Sequence, residues 1–211
     1  MKNMYLIVLS SIFLLNCQPK EVKTITFTDI NDKVDTSTQQ IAIPENMDTL
    51  LHLLSERAIT VGEHGDLSEE QIANKWLGFP PATEEAILAA EKRLNIKLPE
   101  EYKAFLRITN GFVGTVVTAP DFLPVERINY LRNEDPDLIY VWSEHAELRD
   151  VADALARSIL IADVMGEQIF LLIPPNKTQP KWRYWFFANW TPGEREYETF
   201  RDWFEENLRE L

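Results

Sequence analysis

WLGFPPATEEAILAAEKRLNIKLPEEYKAFLRITNG, residues 76–111, spells two helices with clear punctuation. Pro80 and Pro81 end whatever precedes them, because proline lacks an amide donor and restricts the residue before it. Thr83 stands where an N-cap belongs, with Glu84 and Glu85 in the first turn, where carboxylates favour the helix dipole. Ala86, Ile87, Ala90 and Leu94 recur at helical spacing and give one apolar face. Asn95 to Leu98 interrupts that helix. Pro99 suits the first position of the next one, where a missing N–H costs nothing. Tyr102, Phe105, Leu106 and Thr109 follow at i, i+3, i+4 and i+7, and Asn110-Gly111 supplies a left-handed stop. Two such faces need a common surface to bury against, most simply a sheet.

Downstream, the texture changes to strands. Thr115–Thr118 and Phe122–Val125 read as short strands divided by Pro120. Residues 137–157 read as one helix. SILIAD (158–163) and QIFLLI (168–173) read as a hairpin about Met165-Gly166-Glu167. KWRYWFFANW (181–190) reads as a third strand with aromatic side chains on both faces, hence a central strand covered on both sides. Pro192-Gly193 turns the chain. Thr199 then caps a last helix, with Asp202 three residues on and Phe200, Trp203, Phe204 and Leu208 as its apolar stripe. Strands in the middle with helices at both ends predict an α+β fold with a mainly antiparallel sheet, packed by helices from both ends of the domain.

Upstream, Met47–Ile59 reads as a helix carrying Leu50, Leu51, Leu53 and Leu54, and Ser68 with Gln71 reads as a capping box for a short helix toward Trp76. Residues 18–46 are polar and without sustained periodicity, as a tether would be. The first sixteen residues pair a basic Lys2 with an apolar run from Tyr5 to Leu15, too short to span a bilayer and suited to a signal-peptide core. The run ends at Cys17, the only cysteine of the 211 residues. This segment resembles a bacterial lipoprotein signal, with Asn16 where that pattern usually has Gly, Ala or Ser. The likeness implies cleavage after residue 16 and lipid attachment at Cys17. The predicted organisation is a signal peptide at 1–16, a lipidated cysteine and tether at 17–46, a helical extension at 47–67 and a main domain at 68–211.

The formal charge is -13. A chain this acidic repels nucleic-acid backbones and anionic membrane surfaces and suits a basic partner, although acidity also serves plain solubility. His52, His64 and His145 lie far apart with no metal-ligand spacing, and there is no second cysteine to pair or ligate. No G-x-S-x-G, phosphate-binding loop or dinucleotide fingerprint occurs, and 7 glycines leave little material for a phosphate cradle. No catalytic residue, metal or cofactor is therefore expected. The candidates for partner contact are the acidic residues Glu144, Glu147 and Asp150, which could speed capture of a basic protein, and Trp76, a residue type common at interface hot spots. A solvated helix face and a packing role are the plainer readings of the two.

L-P-E-E-Y-x-x-F-L-x-x-T-N-G at 98–111, L-P-V-E-R-I at 123–128, the ILIAD…G…IFLL hairpin and P-G-x-x-x-Y-x-T-F-x-x-W-F at 192–204 occur in one order. Together they resemble the SUKH superfamily, the Smi/Knr-like domains, over about residues 68–210. The resemblance implies helices around an antiparallel sheet and no catalysis. It further implies a protein partner, a toxin in the case of the many bacterial members that look like immunity proteins. With the signal segment it gives an expectation of a non-catalytic binding module on the bacterial cell envelope, touching the membrane only through its lipid. The alternatives are an envelope scaffold or regulator akin to the fungal members, and a glycan binder using the aromatic strand.

Overall fold

The description rests on a computed structural model and covers residues 42–62, 64, 66–164, 166–188 and 194–211. The expected signal peptide, Cys17, the tether up to residue 41 and the Pro192-Gly193 turn lie outside the described residues.

Helix α1 (Met47–Val61) opens at Asn46, whose side chain accepts from the Asp48 and Thr49 amides, and closes at Gly62 with φ 78°. Helix α2 (Glu69–Asn74) carries the expected capping box between Ser68 and Gln71. Helix α3 (Glu84–Leu94) is capped by Thr83 and ends on a left-handed Asn95. Helix α4 (Glu100–Leu106) starts one residue after Pro99, which serves as N-cap. The short strands β1 (Asp121–Phe122) and β2 (Asn129–Tyr130) precede α5 (Leu131–Glu134), α6 (Pro136–Ser143), a 3-10 turn (Ala146–Leu148) and α7 (Arg149–Arg157). Strands β3 (Ile159–Val164), β4 (Gln168–Ile173), β5 (Arg183–Ala188) and β6 (Glu194–Tyr197) follow, and α8 (Phe200–Glu210) ends the chain under a second capping box, Thr199 with Asp202.

The six strands form one antiparallel sheet in the order β1-β3-β4-β5-β6, with β2 also paired to β3. The α+β expectation holds. Alternation along β4 and β5 sends Phe170, Leu172 and Tyr184 to one face and Ile169, Leu171, Ile173, Trp185 and Phe187 to the other. The first face is covered by α1, α3, α4 and α8. Its centre is a knot of rings in which Phe105, Phe122, Phe170, Phe200 and Phe204 meet at centroid distances of 5.1 to 5.9 Å. The second face is covered by α5, α6 and α7. The aromatic strand is thus central and covered on both sides, as its two-faced apolarity predicts. Residues 41–211 form one compact unit in which α1 packs on α8.

Four local expectations need correction. Thr115–Thr118 is a turn, where Gly114 donates its N–H to the Asp121 carboxylate at 2.7 Å. Of the stretch Phe122–Val125, Phe122 pairs with Ala162 and the Leu123 N–H reaches the Ile161 carbonyl at 2.8 Å, but the strand goes no further, and the Val125 N–H is taken by Asn110 Oδ1 at 2.7 Å. Residues 137–157 form α6, a 3-10 turn and α7 rather than one helix, with Glu144 closing the first. The Asn110-Gly111 pair does not end a helix, since α4 has already stopped at Leu106.

The Thr-Asn-Gly triplet is instead a clamp. Thr109 Oγ1 accepts the Phe79 N–H at 2.8 Å and donates to the Gly111 carbonyl at 2.5 Å. The Asn110 N–H reaches the Pro80 carbonyl at 3.0 Å, and its side chain joins Val125 N–H to Glu126 Oε2. Gly111 adopts φ 110°, and a Cβ there would stand 3.0 Å from the Phe122 carbonyl oxygen. Three chain segments that no regular ladder joins are thereby given hydrogen-bond partners.

Candidate functional site

The groups best placed for chemistry are committed to structure. Glu91 is 4% exposed. Its carboxylate takes the Leu98 N–H at 3.0 Å and Lys97 Nζ at 2.6 Å, with Lys103 Nζ at 3.5 Å. Burial pushes its pKa up, but the bonds from Lys97 and Leu98 and the charge of Lys103 outweigh that and hold it below the ordinary carboxylate value. It is a cap for the α3–α4 loop, combining a salt bridge with a hydrogen bond to the Leu98 backbone. Tyr102 is wholly buried and its hydroxyl has no hydrogen-bond partner among the described residues. Among the described residues no group of three His, Cys, Asp or Glu converges in a way that could hold a metal.

The histidines have local partners. His52 lies 3.7 Å from Asp48 and stacks on Trp76, and His145 sits 3.9 Å from Glu147.

Helix α6 is different in kind. Its sequence, PDLIYVWS, is apolar nearly all round, a pattern that ordinarily marks a helix buried on every side. Leu138, Ile139 and Trp142 lean onto the second core cluster, and Trp142 meets Phe187 edge-on at 5.3 Å. No residue of α6 is fully buried. On the outer side Asp137, Tyr140, Val141 and Glu144 follow at i, i+3, i+4 and i+7, so they share one face. Tyr140 is 62% and Val141 57% exposed.

Glu147 and Asp150 continue the acidic border into the 3-10 turn and α7, both exposed. Asp137, Glu144 and Asp150 have no ion-pair partner among the described residues, and Arg149 is the one Lys or Arg between Glu134 and Asp153. The candidate acids therefore border an apolar spot of solvent-facing side chains. Tyr140 and Val141 were not among the residues expected to matter. Their signal was the run L-I-Y-V-W, too apolar for a helix with one dry side.

Trp76 sits elsewhere, on the side of the first core cluster. It is half-buried, with the His52 ring 4.3 Å above it and Phe112 edge-on at 5.7 Å. A Cβ at Gly78 would stand 2.5 Å from Trp76 Cζ2 and 2.5 Å from Thr109 Oγ1, so the indole needs a glycine beside it. Trp76 packs the preceding segment onto the domain, and it also forms the floor of a groove of about 560 Å³. Among its described residues the aromatic strand offers no comparable surface. Tyr184, Trp185 and Phe187 are buried, Trp182 and Phe186 pack against the first cluster, and Trp190 lies outside the described residues.

An antiparallel sheet covered by helices on both faces, entered through a helix pair and a Thr-Asn-Gly clamp and closed by an aromatic C-terminal helix, is an α+β domain of the Smi/Knr type. Residues 81–206, more than half of the chain, match the SMI1 / KNR4 family (SUKH-1), and the chain belongs to that family. No curated protein shows a significant match. Helices α1 and α2 and Trp76 precede the matched region.

Proposed function

We propose that this chain is a non-catalytic protein-binding module of the bacterial cell envelope, an immunity protein that neutralises a basic toxin by direct binding. The observation that carries the reading is the outer face of α6, where Tyr140 and Val141 stand exposed inside a border formed by Asp137, Glu144, Glu147 and Asp150. Exposed apolar side chains rimmed by charge mark interaction sites. A tyrosine supplies contact area at low entropic cost, and exposed carboxylates speed the approach of a cationic partner and set its orientation. Membership of the SUKH-1 family favours recognition over turnover, and the structural commitments of Glu91 agree with that. The signal-like segment ending at Cys17 supports an address outside the cytoplasm, held by lipid rather than by a spanning helix. Among the described residues no helix is long and apolar enough to cross a membrane.

The test is a titration of the full chain with the purified product of a toxin-like gene beside its own. The expected result is 1:1 binding that weakens with salt and is reduced about tenfold or more by Tyr140→Ser with Val141→Ser. Equal binding by that variant overturns the assignment of the surface. The anchor is tested separately by labelling cells with a radioactive fatty acid; label that persists in Cys17→Ser contradicts attachment there.

A further inference from the structure

The groove over Trp76 is a second surface, on the other side of the sheet from α6. Its floor is the indole, held between His52 and Phe112. Its apolar wall is Phe79, 45% exposed, with Pro80, Pro81 and the half-buried Ile108. The opposite wall comes from α1 and α2 through Asp48, His52, Ser68, Glu70, Gln71 and Asn74. Helix α2 buries none of its residues, so it stands off from the core and leaves the groove open beneath it. The wall is nonetheless fixed in place: Lys75 Nζ holds Glu56 of α1 at 2.6 Å, Gln71 closes the capping box and reaches the Leu77 carbonyl at 3.4 Å, and the Leu77 N–H bonds Ser55 Oγ at 3.2 Å.

The charge of the groove is one-sided. Asp48 and Glu70 line it and no Lys or Arg does. Glu70 has no ion-pair partner among the described residues, and the partner of Asp48 there is His52, at 3.7 Å. The two carboxylates sit beside aromatic and proline rings, where a guanidinium or ammonium gains from the charge and its aliphatic stem from the apolar wall.

We propose that this groove binds an extended, cationic segment of a partner protein, rich in arginine or lysine and proline. The proline rings lie against Phe79 and the edge of Trp76, and the cationic heads reach Asp48 and Glu70. Fixed aromatic walls suit a polyproline-type peptide, which arrives already extended and loses little entropy on docking. The inference does not depend on the α6 reading, because the two surfaces share no residue.

The test is fluorescence anisotropy of a labelled octapeptide of alternating arginine and proline, titrated with the full chain in a non-ionic detergent. Saturable binding that weakens with added salt is expected, with an alternating glutamate–proline octapeptide failing to bind. Asp48→Asn with Glu70→Gln should weaken binding about tenfold or more, as loss of two charge contacts does. Phe79→Ser, at an exposed position that leaves the fold intact, should weaken it without changing the salt dependence. No saturable binding, equal binding of the acidic peptide, or full affinity in both variants overturns the proposal. Tyr140→Ser with Val141→Ser should leave peptide binding unchanged; loss in that variant places the peptide on α6 and also overturns it.

Discussion

On one side of the sheet α4 and α8 bury Phe105, Phe200 and Phe204 completely, ring against ring, and α1 adds Leu50, Leu51 and Leu54 with no exposure at all. On the other side α6 buries no residue completely and leaves Tyr140 and Val141 in solvent. Helix α6 is apolar enough to be interior yet stays half-covered, although its layer also holds the fully buried Leu155 of α7 over Leu171 and Trp185 of the sheet. The first layer spends its apolar area on folding, where burial contributes most. The second layer keeps part of it exposed within an acidic border. A helix with surplus apolar surface is a liability in solution unless something covers it, which is why α6 rather than the better-packed half of the molecule carries the functional proposal.

Substitutions can break or sharpen this contrast. Phe105→Ala removes a ring that meets Tyr102, Phe122, Phe200 and Phe204, and denaturant unfolding should show a loss of about 3–5 kcal/mol. Trp142→Ala, in the half-covered layer, should cost clearly less, about 1–2 kcal/mol; equal costs erase the distinction between the layers. Glu91→Ala strands the buried Leu98 N–H and should cost about 2 kcal/mol at neutral pH.

That contribution depends on pH in one direction. The folded carboxyl of Glu91 lies below its ordinary value, so its stabilisation is present above the unfolded value of about 4.3 and is lost as pH falls through the folded one. Wild type and Glu91→Gln should therefore converge in stability in acid and diverge toward neutrality; a gap that widens in acid contradicts the assignment. Tyr102→Phe removes a buried hydroxyl without a partner and should be neutral or stabilising by up to about 1 kcal/mol. Smallest of all, Tyr140→Ser should shift stability by no more than about 0.5 kcal/mol, since the ring covers little. A large loss there would mean that α6 is core after all.

How far the sequence revealed all this varied with the range of the interactions involved. The caps Ser68, Thr83 and Thr199, the helix break at Asn95, the β3–β4 hairpin and the two-faced aromatic strand could be read directly, because each rests on neighbours within a few residues or on a simple alternation. The Thr-Asn-Gly clamp could not. Its hydrogen bonds join residue 109 to 79 and residue 110 to 125, and a local reading turns the same letters into a helix stop.

Strand β6 was missed because Glu194–Tyr197 alternates charge with charge and pairs only by lying beside β5, where Glu196 meets Arg183 and the Trp185 indole. Residues 137–157 looked like one helix because both pieces have helical periodicity. The break at Glu144 to Leu148 follows from packing two helices against α5 and the sheet. The acids Glu144, Glu147 and Asp150 were visible as charge, whereas the exposed ring and methyls they border became visible only once the inward face of α6 was known.

The central claim is that the outer face of α6 binds a basic protein partner. Its most direct test is calorimetric titration of the full chain with the purified product of the adjacent toxin-like gene, at low and high salt, for wild type and Tyr140→Ser with Val141→Ser. The account predicts 1:1 binding that weakens as salt rises and falls about tenfold or more in the variant while its melting temperature stays put. Binding of equal strength in both proteins, or binding indifferent to salt, would contradict it.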